Sequence, residues 1–196
     1  MKITYYGQNA MLIETGSHKI LVDPFISENE LAKDKVKVED LQADFIFLTH
    51  AHYDHLGDTE TIAKNTGAVI VGGFEVFNYF DEKDLDAMPM NHGGKREFDF
   101  GTVKCVNAIH SSSFPDGSYG GNPLGFIFSI DGKNLYIAGD TALTLDMKLV
   151  PMFAKIDLAV LPIGDVVTMG VEDAIIACDF IECDRVLGAH YDIFPF

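Results

Sequence analysis

An apolar run at residues 43–50, ADFIFLTH, is followed without a break by a polar segment rich in histidine. A continuous apolar run of this length is typical of a strand that is buried on both faces. The polar segment holds His50, His52, Asp54 and His55 in the pattern H-x-H-x-D-H. Alternate residues of an extended segment point in different directions, so these four side chains can serve two metal ions. Imidazole nitrogen and carboxylate oxygen suit zinc and other divalent transition metals.

A solvated polar turn is the alternative interpretation of the same segment. It would crowd together three imidazoles that repel one another when protonated, so we favour a metal site. A pair of metal ions needs more than four ligands, and three further candidates stand at the ends of predicted strands, namely His110, Asp140 and His190. Each alone is typical of a hydrogen-bonded strand end or a turn. Because side chains at the carboxyl ends of strands project into a common crevice, we predict one set of seven ligands.

The order of the predicted elements indicates a single α/β domain over residues 1–196, since no repeat or linker divides the chain. Strand patterns come first, then alternating strands and helices, then strands again, and finally a second alternating half. Helices are predicted over residues 58–65, 74–83, 145–154 and 169–182. Asp58 and Thr168 are predicted helix caps, and Phe74, Phe77 and Phe80 are expected on one face. Two such halves predict two mixed sheets packed together, with helices outside.

The charge balance narrows the classes of partner. The chain has 14 Lys+Arg against 30 Asp+Glu, a net charge of −16, which argues against nucleic acid and anionic membranes because both need a basic face. The N-terminus lacks the pattern of a signal peptide, and no apolar run approaches the ~20 residues of a membrane span. Cys105, Cys178 and Cys183 cannot all pair and lie in apolar stretches, so we expect reduced thiols and a cytoplasmic location.

Several of these segments occur together in one known family. THAHYDH at residues 49–55, the HSSS segment that begins at His110, the Gly-Asp-Thr tripeptide around Asp140 and the terminal His190 follow the order of the metallo-β-lactamase superfamily, which the sequence resembles over essentially its whole length. Near the start, ILVDPF is similar to a family segment whose aspartate, here Asp23, supports the metal loop. More closely, PMNHGGKREFDFG, PIGDVVTMGVEDA and HYDIFPF resemble small metal-dependent hydrolases related to L-ascorbate-6-phosphate lactonase. The resemblance implies a four-layer αββα sandwich with its site at one edge.

The resemblance also implies a role for each ligand. The first metal would be bound by His50, His52 and His110. The second metal would be bound by Asp54, His55 and His190. Asp140 would bridge the two ions, and Asp23 would accept a hydrogen bond from a ligand and fix its tautomer.

The implied cofactor is a pair of divalent ions, zinc in the first place, with manganese, iron or nickel as alternatives. Such a pair would lower the pKa of a shared water toward ~7, and Asp54 and Asp140 would take part in catalysis. Substrate contacts are expected from Ser111, Ser112, Ser113 and Thr141. The charge of two divalent cations exceeds that of the ligand carboxylates, so the site would be locally positive. Such a site can attract a small-molecule substrate that is anionic.

We therefore predict a hydrolase that acts on a small ester, lactone or phosphoester. Two other classes stay open, a noncatalytic metal-binding module and a diiron redox protein of the same fold. The diiron relatives have H-x-E-x-D as their first motif, whereas this sequence has His at position 52 in place of the Glu. Family members continue through a further helix after the last histidine, so we expect a C-terminal helix to be missing. The lactonase relatives suggest a homo-oligomer. His92 is expected to be a loop histidine, with an eighth polar group at the site as the alternative.

Overall fold

The computed structural model describes residues 1–192. The first half of the chain forms a six-stranded mixed sheet, sheet 1, in the order β1-β2-β3-β4-β5-β6. Its strands are β1 Lys2–Gly7, β2 Ala10–Glu14, β3 Lys19–Val22, β4 Phe45–Phe47, β5 Val69–Gly72 and β6 Ala87–Pro89. The first three strands are antiparallel neighbours, and β3 to β6 run parallel. A 3₁₀ helix, Val38–Asp40, precedes β4, and the connections after β4 and β5 contain the helices α1 Tyr53–Leu56, α2 Thr59–Thr66 and α3 Phe74–Asp81.

The second half forms sheet 2, also of six strands, in the order β12-β11-β10-β9-β8-β7. Its strands are β7 Lys95–Phe98, β8 Gly101–Asn107, β9 Leu124–Ile130, β10 Lys133–Ile137, β11 Leu158–Pro162 and β12 Val186–Ala189. From β7 to β10 the strands are antiparallel, whereas β10, β11 and β12 run parallel. The parallel connections hold a 3₁₀ helix Leu145–Leu149, α4 Val150–Phe153 and α5 Val171–Ile181.

Three separate apolar clusters show that the molecule has four layers. Strand β2 alternates between two of these clusters, because Met11 and Ile13 pack between the sheets while Leu12 packs under the helices of sheet 1. Phe47 lies at the centre of the layer between the sheets, in edge contact with Phe126 and Phe128 from sheet 2. A third cluster joins sheet 2 to α5 and its neighbouring short helices. The predicted αββα sandwich is therefore confirmed.

The strand directions bring distant segments to one edge of the sandwich. In sheet 1, β1 and β3 to β6 all point the same way, and in sheet 2, β8, β10, β11 and β12 share one direction. The loops that follow β1, β3, β4, β8, β10, β11 and β12 hold the residues of the candidate site. The carboxyl ends of such strands are where ligands bind in open α/β sheets.

The structure differs from the predicted elements in several local features. Asp58 stands at the N-cap position of α2, as predicted, but its carboxylate makes no cap bond and instead accepts hydrogen bonds from the backbone of Ile26 and Ser27. Thr168 does not cap α5, because Gly170 occupies the N-cap position. Of the phenylalanines of α3, Phe80 is buried but Phe74 is half exposed. The segment 145–154 is helical, but its first half is 3₁₀. The short elements α1 and β6 were not predicted, since three or four residues carry no readable period.

Two further expectations concern chain-wide properties. Within residues 1–192 no helix has both the length and the apolar character that crossing a bilayer requires. All three cysteines are free thiols, with Cys105 and Cys183 buried. The HYDIFPF segment and the predicted domain both extend to residue 196, and their last four residues, 193–196, lie outside the described residues.

Candidate metal site

Seven side chains from four connecting segments gather at the edge of the sandwich. His50 follows β4, His52 precedes α1 as its N-cap residue, and Asp54 and His55 lie on α1. His110 lies three residues after β8, Asp140 three residues after β10, and His190 directly after β12. Gly139 permits the turn before Asp140, because its φ of +65° and the 2.9 Å from a built Cβ to Thr49 would strain any larger residue. The structure thus places the seven predicted ligand residues at one edge, in two groups.

The first group, which we call the three-histidine cluster, consists of His50, His52 and His110. One ring nitrogen from each lies within 4.8 Å of the others. The Nε2 atom of His50 lies 2.9 Å from Nδ1 of His52, and the ring of His110 is 5.1–5.2 Å from the other two rings, centroid to centroid. Three convergent imidazole nitrogens of this kind match the donor set of a zinc-type ion.

The second group, the mixed cluster, consists of Asp54, His55, Asp140 and His190, whose ligand atoms also lie within 4.8 Å of one another. Oδ2 of Asp140 is 2.9 Å from Nε2 of His190 and 3.3 Å from Nε2 of His55. The same oxygen is 3.6 Å from Nε2 of His110, which belongs to the three-histidine cluster. The Asp140 carboxylate thus contacts both clusters.

A buried aspartate behind the ligands fixes the orientation of His55. Asp23 is 0% exposed, and its Oδ2 lies 2.8 Å from Nδ1 of His55. The same carboxylate accepts hydrogen bonds from the Thr49 backbone and hydroxyl and from Nδ2 of Asn9. With Nδ1 of His55 engaged by a carboxylate, its Nε2 faces Asp54 and Asp140, which is the arrangement that a metal-binding imidazole needs.

The turn between β1 and β2 also supports the site, and the sequence analysis missed it. Gln8 is buried and has a φ of +56°. Its side-chain amide donates a hydrogen bond of 2.6 Å to Oδ2 of Asp54, and its backbone carbonyl accepts one of 2.7 Å from the His190 backbone. Gln8 therefore holds both Asp54 and the strand end that carries His190. One signal could have indicated this role of Gln8. Because β1 and β3 run in the same direction, the end of β1 lies at the same edge of sheet 1 as the end of β3.

The imidazoles of the three-histidine cluster are held neutral. Burial lowers the pKa of His50 well below its ordinary value, and the adjacent His55 lowers it further. The pKa of His52 and that of His110 are also lowered, again chiefly because burial disfavours the charged ring. Neutral imidazole is the form that binds metal, so this cluster is electrostatically prepared for a cation.

The mixed cluster has the opposite balance. Burial lowers the pKa of His190, but hydrogen bonds with Asp140 and Asp54 outweigh burial and raise it to about 9. The pKa of His55 is likewise raised, since Asp140, Asp54 and Asp23 together exceed the effect of its burial. Burial raises and the neighbouring histidines lower the pKa of Asp54 and of Asp140, with a net decrease for both. Two carboxylates thus stay ionised and attract positive charge.

Two buried polar atoms in the mixed cluster lack a hydrogen-bond partner in the described part of the chain. They are Nε2 of His55 and Oδ1 of Asp140. An unpaired buried polar atom costs about 1–3 kcal/mol, and native proteins retain such groups where an ion or ligand satisfies them. These two atoms and the donor set of five imidazoles and two carboxylates fit divalent cations such as zinc.

A small pocket opens beside both clusters. It has a volume of about 290 Å³ and is lined by His52, Asp54, His110, Ser111, Asp140, Val167 and His190. Of the four expected substrate contacts, Ser111 alone lines this pocket. Ser112 instead ties two loops together, because its hydroxyl accepts from Ala51 and donates to Gly120.

The other expected contacts are used within the fold. Ser113 forms an isolated bridge with Tyr119. Thr141 is fully buried, and its hydroxyl accepts from the Ile109 backbone and donates to the carbonyl of Ala142. The Thr141 hydroxyl is thus used within the fold, and the predicted role of Ser111 in substrate binding stays a prediction. His92, at 2.8 Å from the Pro123 carbonyl, is a loop histidine outside both clusters.

An αββα sandwich with a His/Asp cluster at its edge is the architecture of the metal-dependent hydrolases of the metallo-β-lactamase type. In agreement, residues 18–191 match the family described as "Beta-lactamase superfamily domain". The chain is 63% identical over 196 residues to a UPF0173 metal-dependent hydrolase of Christiangramia forsetii and 60% identical to one of Flavobacterium johnsoniae, covering all of this chain and 87% of each relative.

A solved structure shows the same fold. Igni18, a metallo hydrolase from Ignicoccus hospitalis, is similar with a TM-score of 0.88 and 33% identity, over 98% of this chain and 83% of that one. The chain belongs to the β-lactamase superfamily, and within it to the UPF0173 metal-dependent hydrolases. The predicted family, fold and enzyme class are confirmed: it is a hydrolase whose substrate is a small molecule.

Proposed function

We propose that the protein hydrolyses a small ester, lactone or phosphoester at a centre of two divalent cations. The observation that carries this proposal is the position of Asp140, whose Oδ2 lies within 3.6 Å of imidazole nitrogens from both clusters. A single carboxylate between two sets of nitrogen ligands is suited to bridging two ions. We propose zinc, since five imidazoles and two carboxylates without a thiolate suit it, with manganese, iron and nickel as substitutes.

The proposed roles follow the geometry. His50, His52 and His110 would hold one ion, Asp54, His55 and His190 would hold the other, and Asp140 would contact both. Ions bound there supply Lewis acidity and a hydroxide nucleophile at neutral pH. Asp23 and Gln8 keep His55 and Asp54 in their orientations, since each makes a hydrogen bond of 2.8 Å or less to its ligand. Ser111 lines the pocket and can donate a hydrogen bond to the substrate.

Asp54 is placed for a second task in the reaction. It lines the pocket, while its Oδ2 is held by the Gln8 amide and lies 3.4 Å from Nε2 of His190. The side chain is 18% exposed, more than Asp140 at 3%. A carboxylate that faces both the ligands and the pocket can orient the nucleophile and accept its proton.

The test is a hydrolysis screen on protein stripped by a chelator and then reloaded with zinc or manganese. The probes are a phosphodiester, a lactone, a carboxylic ester and a thioester. We expect turnover of at least one class after reloading, and a loss of about 100-fold or more in Asp54→Asn because the nucleophile loses its orientation. Asp179→Asn, on the exposed face of α5, is the matched control. Equal turnover by Asp54→Asn and the control would contradict the proposed role.

A further inference from the structure

The pocket beside the metal site contains no Lys or Arg side chain among the described residues that line it, and a histidine that binds a metal ion is neutral. Five of the seven lining residues are proposed metal ligands that the clusters already use, so Ser111 and Val167 are the side chains left to contact the rest of a substrate. Recognition of a phosphate or carboxylate group ordinarily uses Arg, Lys or a helix N-terminus. Apart from bound metals and the Ser111 hydroxyl, the described residues that line the pocket therefore offer an anionic substituent no further partner, in a protein of net charge −16.

Val167 is held in the pocket wall by a loop of unusual conformation. Asp165 and Val166 have φ values of +62° and +52°. A β-branched residue with positive φ is a genuine outlier, and such strain costs about 1–3 kcal/mol and clusters at functional sites. The loop is fixed on both sides: the Thr168 backbone donates to Asp165, the Met169 backbone donates to Thr141, next to Asp140, and Gly164 packs against the His190 backbone.

Apolar side chains continue outward from the pocket. Val166 is 72% exposed and is the chain neighbour of Val167, and Ile109 is 55% exposed and precedes His110. A single exposed apolar residue needs no explanation. Here two such residues adjoin pocket-lining residues, and one of them, Val166, has a positive φ. Val167 is thus the residue of the loop 164–168 that presents an apolar side chain to whatever enters the site.

From these observations we propose that Val167 is a specificity-determining residue and that the substrate is an uncharged lactone or carboxylic ester whose non-reacting part is short and apolar. This inference rests on the proposed hydrolytic function and narrows it, setting aside the anionic substrates that the resemblance to the lactonase group suggests. The pocket volume of about 290 Å³ lies at the lower end of the range for small-molecule sites, which limits the apolar part to a few carbon atoms.

The first test compares lactones with one ring and different substituents, with acid release measured on the metal-loaded protein. γ-Hexalactone carries two more carbon atoms than γ-butyrolactone. At about fourfold per buried methylene, kcat/KM should be about 15-fold higher for the longer lactone. Val167→Ala should reduce this preference to about fourfold or less, whereas the control Val186→Ala, at the far end of β12, should keep it. p-Nitrophenyl butyrate and acetate give the same comparison for esters.

The second test changes charge at nearly constant shape. γ-Valerolactone carries a methyl group where its carboxylated analogue carries a carboxylate. We expect at least a tenfold preference of the wild-type protein for the methyl compound, and we expect Val167→Lys to reduce this preference about fivefold by supplying a nearby cation. A preference of the wild-type protein for the carboxylated lactone would overturn the inference, and so would an unchanged chain-length preference in Val167→Ala. In both cases the observed turnover would still support the proposed hydrolytic function. Absence of turnover for every probe would instead contradict the proposed function, and the inference would fall with it.

Discussion

Asp23 is the shared acceptor of the hydrogen bonds behind the proposed metal ligands, and replacing it with asparagine removes its negative charge. Asp23 is completely buried and receives four donors. Oδ1 accepts from the Thr49 backbone at 2.8 Å, and Oδ2 accepts from the Thr49 hydroxyl at 2.7 Å, from Asn9 at 2.6 Å and from Nδ1 of His55 at 2.8 Å. An asparagine amide has one acceptor oxygen and one donor nitrogen, so it cannot satisfy all four.

The magnitude follows from this count. The better orientation of the amide keeps its oxygen on the three side-chain donors and turns its nitrogen toward the Thr49 N–H. The unsatisfied backbone donor then costs about 1–3 kcal/mol. The three remaining hydrogen bonds no longer involve a charged acceptor, and each becomes weaker by about 1 kcal/mol. Part of this loss is offset, because a neutral asparagine avoids the desolvation cost of a buried carboxylate. We expect the free energy of unfolding of the metal-free protein to fall by about 3 kcal/mol.

The same change should weaken metal binding. A neutral acceptor at Nδ1 makes His55 a weaker ligand, and loss of such a partner ordinarily lowers metal affinity 10- to 100-fold. Urea unfolding of chelator-treated protein measures the first effect, and competition with a metal-binding dye measures the second. The control is Asp179→Asn, whose side chain is exposed on α5. A change in unfolding free energy of less than about 0.5 kcal/mol, the range of ordinary surface substitutions, would refute the reasoning.

Three further predictions test other parts of the structure. Gln8→Asn tolerates the φ of +56° but is too short to reach Asp54, so we expect about tenfold weaker metal binding in a chelator competition, with the exposed Gln42→Asn unchanged. His18→Ala should leave metal content unaltered, because His18 lies in the turn between β2 and β3 and outside both clusters; a large loss on elemental analysis would count against the ligand set. Burial raises the pKa of the Cys105 thiol from 9.0 to about 12, so a disulfide reagent at pH 8 should label it only after denaturant is added. The stability contributed by its neutral burial is present below pH 9 and is lost as pH rises toward 12, and fast labelling of the folded protein would contradict this.

The seven candidate ligand residues could be named from the sequence because their chemistry and position are both local features. The spacing of His50 to His55 needs no tertiary information, and His110, Asp140 and His190 each follow a readable strand. Short runs of β-branched and aromatic residues between turn residues likewise predicted the strands of both sheets. The assignment of side chains to layers came from the structure, as in β2, where neighbouring side chains enter different apolar layers. These features depend on residues within about ten positions of one another along the chain.

The supporting residues could not be predicted in this way. Gln8 and Asp54 are 46 positions apart, and their contact depends on a left-handed turn and on the relative directions of β1 and β4. Ser112 and Thr141 looked like substrate contacts from sequence because both stand beside ligands. In the fold each hydroxyl meets backbone groups of a neighbouring loop, a choice that only the packing of those loops decides. Asp58 stands at the predicted N-cap position, but its carboxylate binds the distant backbone of Ile26 and Ser27 instead of the first turn of α2.

The central claim is that the two clusters together hold two cations that share Asp140. Its most direct test is the stoichiometry of tightly bound divalent metal per chain, measured by elemental analysis after loading and removal of free metal. We predict two ions per chain for the wild-type protein and no more than one for Asp140→Ala. A wild-type chain that retains a single ion, or an Asp140→Ala variant that retains the same two, would contradict the account.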